Sequence, residues 1–168
     1  MIRKKLQDDR LILIRTAHYP YRAARSKRGK GVGGHRALIG IGGNIGDVPR
    51  RFEKLFWFLK RSRAVSFVAS APILRNPPFG YLDQPDFYNS LIQLQSPFTP
   101  AELLRFLLRT EQRFGRKRTI KDGPRTLDLD IIFYDDVSIN SKKLTIPHPQ
   151  WMNRSSVLIP LKYMKGRR

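Results

Sequence analysis

The 168-residue sequence contains no cysteine. That excludes a disulfide framework and any zinc–thiolate site, and it fits a reducing cytosol. No apolar run approaches the roughly 20 residues that a membrane-spanning helix needs. Near the N-terminus the apolar patch LILI is short and follows Asp8, Asp9 and Arg10, which argues against a secretory signal. The expectation is a cytoplasmic protein with no membrane partner. Acidic residues are also scarce: 13 Asp and Glu stand against 33 Lys and Arg, for a formal net charge of +20. The excess is spread along the chain, with +9 over residues 1–36 and +11 over the remainder. A field of this sign draws polyanions, but charge alone does not choose between a nucleic acid, an anionic lipid and a nucleotide.

The chain is long enough for one domain with a substantial core. Residues 1–35 end in AARSKRGKGVGGH, which lacks sustained periodicity and reads as a basic, mobile N-terminal extension to a single domain over residues 36–168. RALIGIG reads as a buried strand closed by glycines. In GGNIGDVP, Asp47 is placed to cap a helix with Pro49 in its first turn, and Phe52, Leu55, Phe56 and Leu59 follow at helical spacing. AVSFVASAPILR reads as a second strand ending at the NPPFG turn, and FYNSLIQLQS as a third. TPAE opens the next helix with Thr99 as cap, Pro100 at the first position and Glu102 closing a capping box. Leu103, Leu104, Leu107 and Leu108 are expected inward. The order strand, helix, strand, strand, helix, strand predicts an α+β fold of the ferredoxin-like, split βαβ type. Its helices would cover one face of an antiparallel sheet.

The next segment, GPRTLDLDIIFYDD, breaks the apolar pattern. On a strand Asp128 and Asp130 share one side while Leu127, Leu129 and Ile131 share the other. Two carboxylates about 6 to 7 Å apart repel by about 2 to 3 kcal/mol at an effective dielectric near 20. A wet strand face with nearby Lys or Arg would accommodate them. So would magnesium, which prefers one or two carboxylates together with substrate phosphates and water. Arg116, Lys117 and Arg118 precede the pair, Arg125 stands at its entrance and His148 follows in TIPHP. Arginine forks suit phosphate oxygens. GIGGNIGD lacks the third glycine of a dinucleotide-binding turn, and there is no P-loop lysine motif. Aromatics among basic residues in KLFWFLKR follow helical spacing, so they read as core rather than as a stacking surface for nucleic acid.

Taken in order, GIGGNIGD, RNPPFGYLDQPDFYN, TEQRFGRKR, GPRTLDLDII, LTIPHP and MNRSSVLIPL resemble the 6-hydroxymethyl-7,8-dihydropterin pyrophosphokinase family over roughly residues 37–164. The resemblance implies a single catalytic domain that transfers pyrophosphate from ATP to the pterin hydroxymethyl group in folate biosynthesis, releasing AMP. It also implies two magnesium ions held by Asp128 and Asp130. Arg116 and Arg125 would act on the transferring group. Glu111, Arg118, Ile131, Lys143, Thr145, His148 and Arg154 match ATP-contacting positions. Asn76, Phe79, Phe87 and Asn89 match the pterin pocket. A second pterin-stacking aromatic is replaced by Ser156, which makes Trp151 a candidate substitute. The partners implied are small molecules acting on a monomer, with nucleic acid limited to weak nonspecific binding by the basic extension.

Overall fold

Short apolar runs punctuated by glycine, proline and charge set the lengths of the elements in the computed structural model, which describes residues 1–23, 34–117 and 123–165. Along the chain these are β1 (Ile2–Lys5), β2 (Ile12–Arg15), β3 (Tyr21–Arg22), β4 (His35–Gly43), α1 (Val48–Lys60), β5 (Ser66–Ser70) and β6 (Ile73–Asn76). Then follow β7 (Phe87–Ser96), α2 (Pro100–Arg113), β8 (Asp128–Tyr134), β9 (Ile139–Asn140), β10 (Thr145–Ile146) and α3 (Ser155–Lys165), the last preceded by a 3-10 turn at Trp151–Asn153. None of the described helices is long and apolar enough to cross a membrane.

The helix starts follow the expected chemistry. Asp47 accepts a hydrogen bond from the Arg50 amide at 3.0 Å. Thr99 and Glu102 form the reciprocal capping box. Phe52, Leu55, Phe56 and Leu59 of α1 are buried, as are Leu103 and Leu107 of α2. Leu104 and Leu108 are only half-buried, and the polar Thr110 and Glu111 take fully buried positions on α2.

The main sheet is antiparallel, with strands in the order β1-β2-β6-β7-β4-β8 and with β5 bridging β3 and β7. The second expected strand is divided at Ala71–Pro72. Proline has no amide to donate to a ladder, so the segment continues as β5 and β6, both paired to β7. Part of the segment expected as an extension is also ordered into this sheet. The LILI patch supplies β2, which pairs with β6, and Leu13, Ile14 and Tyr19 are buried. Burial of these three outweighs the segment's charge, and the hydroxyl of Tyr19 donates to the Phe52 carbonyl at 3.0 Å. The glycine- and lysine-rich part of that extension, residues 24–33, lies outside the described residues.

Helices occur on both faces of the sheet rather than on one. One face, carrying Ile39, Ile41, Leu129 and Ile131, joins the core built with α1 and α2. The other carries Leu91 and Ile132, with Leu38 and Phe133 partly buried beside them, and α3 covers them through Val157, Leu161 and Met164. A register shift in the β4–β8 pairing, between the pairs Leu38–Phe133 and Ile39–Ile131, turns Ile132 and Phe133 together toward this second face. Uncovered, four apolar side chains there would face water, which explains why VLIPLKYM folds back as a helix despite Pro160.

Candidate active site

The central strand β4 sets the site. Gly40 stands opposite Asp130 and Gly42 opposite Asp128, and across the other edge Gly42 stands opposite Asn89. All of these share the face that α3 only partly covers. A Cβ at Gly42 would lie 2.8 Å from Asn89 Oδ1, so glycine is what admits the Asn89 amide to this surface. A Cβ at Gly43 would meet the Thr126 carbonyl at 2.5 Å, so the chain entering β8 packs directly on the glycine backbone.

Two arginines reach the first aspartate. Arg116 Nη1 lies 2.5 Å from Asp128 Oδ1, and Arg125 Nε lies 3.2 Å from Asp128 Oδ2. The second contact is not aligned as a hydrogen bond, which leaves Arg125 Nε without one. Arg116 also bonds Glu111, whose Oε1 accepts the Leu129 amide at 2.7 Å. Glu111 thus ties α2 to β8 and to the basic segment after α2. Burial pushes its carboxyl up to about 7, against the pull of the Leu129 amide and Arg116. Burial, and then the charge of Asp128, push Asp130 up to about 6, against Arg154, Arg116 and Arg125. A buried carboxyl under like-charge repulsion gains strongly from a cation.

The backbone at Arg125 is fixed by Asn44, a buried residue whose Oδ1 accepts the Arg125 amide at 2.9 Å. The Asn44 Nδ2 donates to Gln84 Oε1 and the Pro85 carbonyl at 2.9 and 3.0 Å. One side chain therefore clamps the segment before β8 to the segment before β7. The local sequence by itself assigns Asn44 no role. A polar residue wedged among glycines was the available signal.

Beside the aspartates lies a cavity of about 620 Å³, with Asn76, Phe79, Phe87 and Asn89 on one side and His148 and Arg154 on the other. A smaller cleft of about 50 Å³ runs from it to Asp128 and Asp130, and the two share Asn89, Arg125, His148, Arg154 and Ser156. Asn89 Nδ2 donates to Asn76 Oδ1 at 2.7 Å, while Asn76 Nδ2 donates to the Pro77 carbonyl at 2.7 Å. This chain orients the Asn89 amide and leaves its carbonyl and second amide hydrogen to a ligand edge. Phe87 is buried under the Arg125 guanidinium, 4.8 Å from its ring, whereas Phe79 is 60% exposed at the rim.

His148 follows the cis Ile146–Pro147 bond, and its amide donates to the Ile132 carbonyl at 3.0 Å. Burial and the neighbouring Arg154 hold its imidazole below the usual range. Arg154 is steadied by Gln150, whose Oε1 accepts from Nη2 at 2.8 Å.

Other expected residues sit apart from this cluster. Glu111 is buried behind Arg116 rather than on a cavity wall. Ile131 points its side chain into the main core, which leaves only its backbone toward a ligand. Thr145 pairs with Asn140 in the β9–β10 ribbon, Lys143 is exposed in the turn before it, and neither lines the two cavities. Trp151 packs edge-on against Phe133, with ring centroids 4.9 Å apart, and is absent from the cavity lining. Arg118 lies outside the described residues.

The chain is similar to known proteins over most of its length. The model of the 7,8-dihydro-6-hydroxymethylpterin-pyrophosphokinase family matches residues 38–166. The chain is 40% identical over 129 residues to the 2-amino-4-hydroxy-6-hydroxymethyldihydropteridine pyrophosphokinase of Helicobacter pylori, covering 76% of this chain and 79% of that protein. It is 43% identical over 127 residues to the protein of the same name from Synechocystis, covering 76% and 65%. It is also 37% identical over 132 residues to the mitochondrial folate synthesis bifunctional protein of Arabidopsis thaliana, covering 79% of this chain and 24% of that one.

Proposed function

Since the chain belongs to the 7,8-dihydro-6-hydroxymethylpterin-pyrophosphokinase family, we propose that this cleft transfers the β,γ-pyrophosphoryl unit of ATP to the hydroxymethyl group of a reduced pterin, releasing AMP. The observation that carries the reading is the aspartate pair opposite Gly40 and Gly42, at the end of a cavity bearing the Asn76–Asn89 amide chain. The activity is that of a pyrophosphokinase of folate biosynthesis.

Asp128 and Asp130 fit a divalent cation: both stand on one face of a rigid strand, and the burial that lifts Asp130 is relieved by positive charge. Magnesium needs only one or two protein carboxylates when phosphates and water complete its shell, and there it would neutralise phosphate oxygens. Two ions against a triphosphate and two carboxylates leave a residual negative charge, which Arg116 and Arg125 are placed to offset. Their contribution is to hold charge on the transferring group without reorganisation. Arg154 and a neutral His148 border the same passage and would bind the phosphate tail, with Thr145, Lys143 and Arg118 completing the ATP contacts from the neighbouring segments. The Ile131 backbone would meet adenine, with Glu111 supporting that side of the site.

On the pterin side, the Asn89 amide offers a donor and an acceptor to the ring edge, Phe87 would stack on the ring, and Phe79 lines the rim of the same pocket. The hydroxymethyl oxygen would then point along the passage toward the aspartates. Orientation of the two reactants in one cleft, excluding bulk water, supplies the rate advantage. The order strand, helix, strand, strand, helix, strand, with β8-β4-β7-β5 side by side, supports a ferredoxin-like reading of the domain. The test is AMP production from ATP, magnesium and 6-hydroxymethyl-7,8-dihydropterin. Release that depends on the pterin supports the assignment, and ATP hydrolysis indifferent to pterin contradicts it.

A further inference from the structure

The outer surface of the α1–α2 layer lies on the opposite side of the sheet from the aspartates and carries a cation-rich groove of its own. In α1 the buried positions are taken by Val48, Phe52, Leu55, Phe56 and Leu59, yet Trp57 remains 45% exposed. A groove of about 670 Å³ holds Arg50, Arg51, Lys54 and Arg113 around Phe58 and Phe114. Through Lys54 and Phe58 it continues into a hollow of about 560 Å³ that adds Trp57 and Arg61. The Arg61 guanidinium lies 5.4 Å from the Trp57 ring, and that of Arg113 lies 5.2 Å from the Phe58 ring. Against five cations the lining has one carboxylate, Asp47, already occupied as the cap of α1. Glu53 is turned away to Thr16 and His18. Among the described residues Arg50 and Lys54 have no carboxylate partner.

We propose that this groove binds single-stranded nucleic acid, with Trp57 as the stacking platform and Arg50, Lys54, Arg61 and Arg113 along the phosphate path. A solvated basic face needs no exposed indole, and a simple polyanion site gains nothing from one. Bases do gain, because each presents a π face to an aromatic ring, and a guanidinium beside the ring extends the stack. A concave track along α1 that reaches the end of α2 suits a flexible single strand better than a flat bilayer. The sequence pattern KLFWFLKR is therefore divided by the fold: Phe56 belongs to the core, while Trp57 belongs to the surface.

The test uses the full chain. Trp151→Phe leaves Trp57 as the lone indole of the two in the sequence. Titration at low salt with a 20-nucleotide oligothymidylate or oligouridylate should quench its fluorescence, whereas heparin should bind with little quenching. In anisotropy measurements with a labelled oligonucleotide, Trp57→Ala should weaken binding about tenfold or more. A Lys54→Gln, Arg61→Gln, Arg113→Gln variant should flatten the slope of log affinity against log salt by roughly 2. AMP formation should be unchanged in both variants, which shows that the fold is intact. Absence of oligonucleotide binding overturns the proposal. So does binding that both variants retain, equal quenching by heparin, or capture by phosphatidylglycerol vesicles without capture of the oligonucleotide.

Discussion

Arg116 and Asp128 form an ion pair at 2.5 Å, and each partner is a group that the proposed reaction needs elsewhere. The carboxylate is wanted by magnesium and the guanidinium by the phosphates. Charge neutralisation is thus built into the protein itself, and binding of metal–ATP exchanges partners rather than creating ion pairs from isolated charges. Removing only Arg116 should leave ATP binding less affected than turnover, because its charge matters most when negative charge moves to the leaving oxygen. Arg116→Ala should lower kcat by roughly 100-fold or more with a much smaller change in the KM for ATP. Steady-state AMP formation decides this, and a change confined to KM contradicts it.

Gly42 controls the pterin side. An added Cβ would stand 2.8 Å from Asn89 Oδ1, so Gly42→Ala must displace an amide that Asn76 holds in place. We expect the KM for pterin to rise about tenfold or more while the KM for ATP changes little, a difference of about 1.4 kcal/mol per tenfold. Equal changes in both values would mean that the substitution disturbs the strand rather than Asn89.

Glu111 gives a pH signature. Its carboxyl is pushed up to about 7 in the fold from an ordinary value of 4.5, chiefly by burial. Between these values the unfolded chain has released the proton that the folded protein still holds, so ionisation favours unfolding and stability from this group falls as pH rises from about 4.5 to 7. Glu111→Gln should flatten that part of the profile by up to roughly 3 kcal/mol. Urea unfolding across this range measures it, and an unchanged slope contradicts the account of a buried, proton-holding carboxyl.

Tyr19 anchors the added N-terminal strands. It is fully buried beside Phe52, with ring centroids 5.7 Å apart, and its hydroxyl donates to the Phe52 carbonyl. Tyr19→Ala should cost about 3 to 5 kcal/mol, in line with other large aromatic truncations. A thermal unfolding temperature close to that of the unmodified protein would show that β1–β3 add little to the fold.

Much of this was legible in local sequence. RALIGIG, the Asp47 cap and the Thr99–Glu102 capping box specify their elements through contacts only a few residues long. The aspartate alternation likewise fixes which face carries charge. What local pattern does not carry is the identity of the partner surface. LILI reads as an isolated apolar patch until the β6 edge is known to accept it. VLIPLKYM requires knowledge that Leu91 and Ile132 would lie uncovered on the second face without it. Glu111 looks like a surface residue of an amphipathic helix, and only the Leu129 amide across the α2–β8 contact explains its burial. The same limit applies to Trp57, whose helical spacing beside Phe56 suggested core.

The aspartate pair is the centre of the account, and the direct measurement is AMP formation from ATP and 6-hydroxymethyl-7,8-dihydropterin across a magnesium titration, comparing the unmodified protein with Asp128→Asn and Asp130→Asn. Pterin-dependent AMP formation should require magnesium and fall about 100-fold or more in each variant. Undiminished AMP formation in either variant, or a rate indifferent to magnesium, would contradict it.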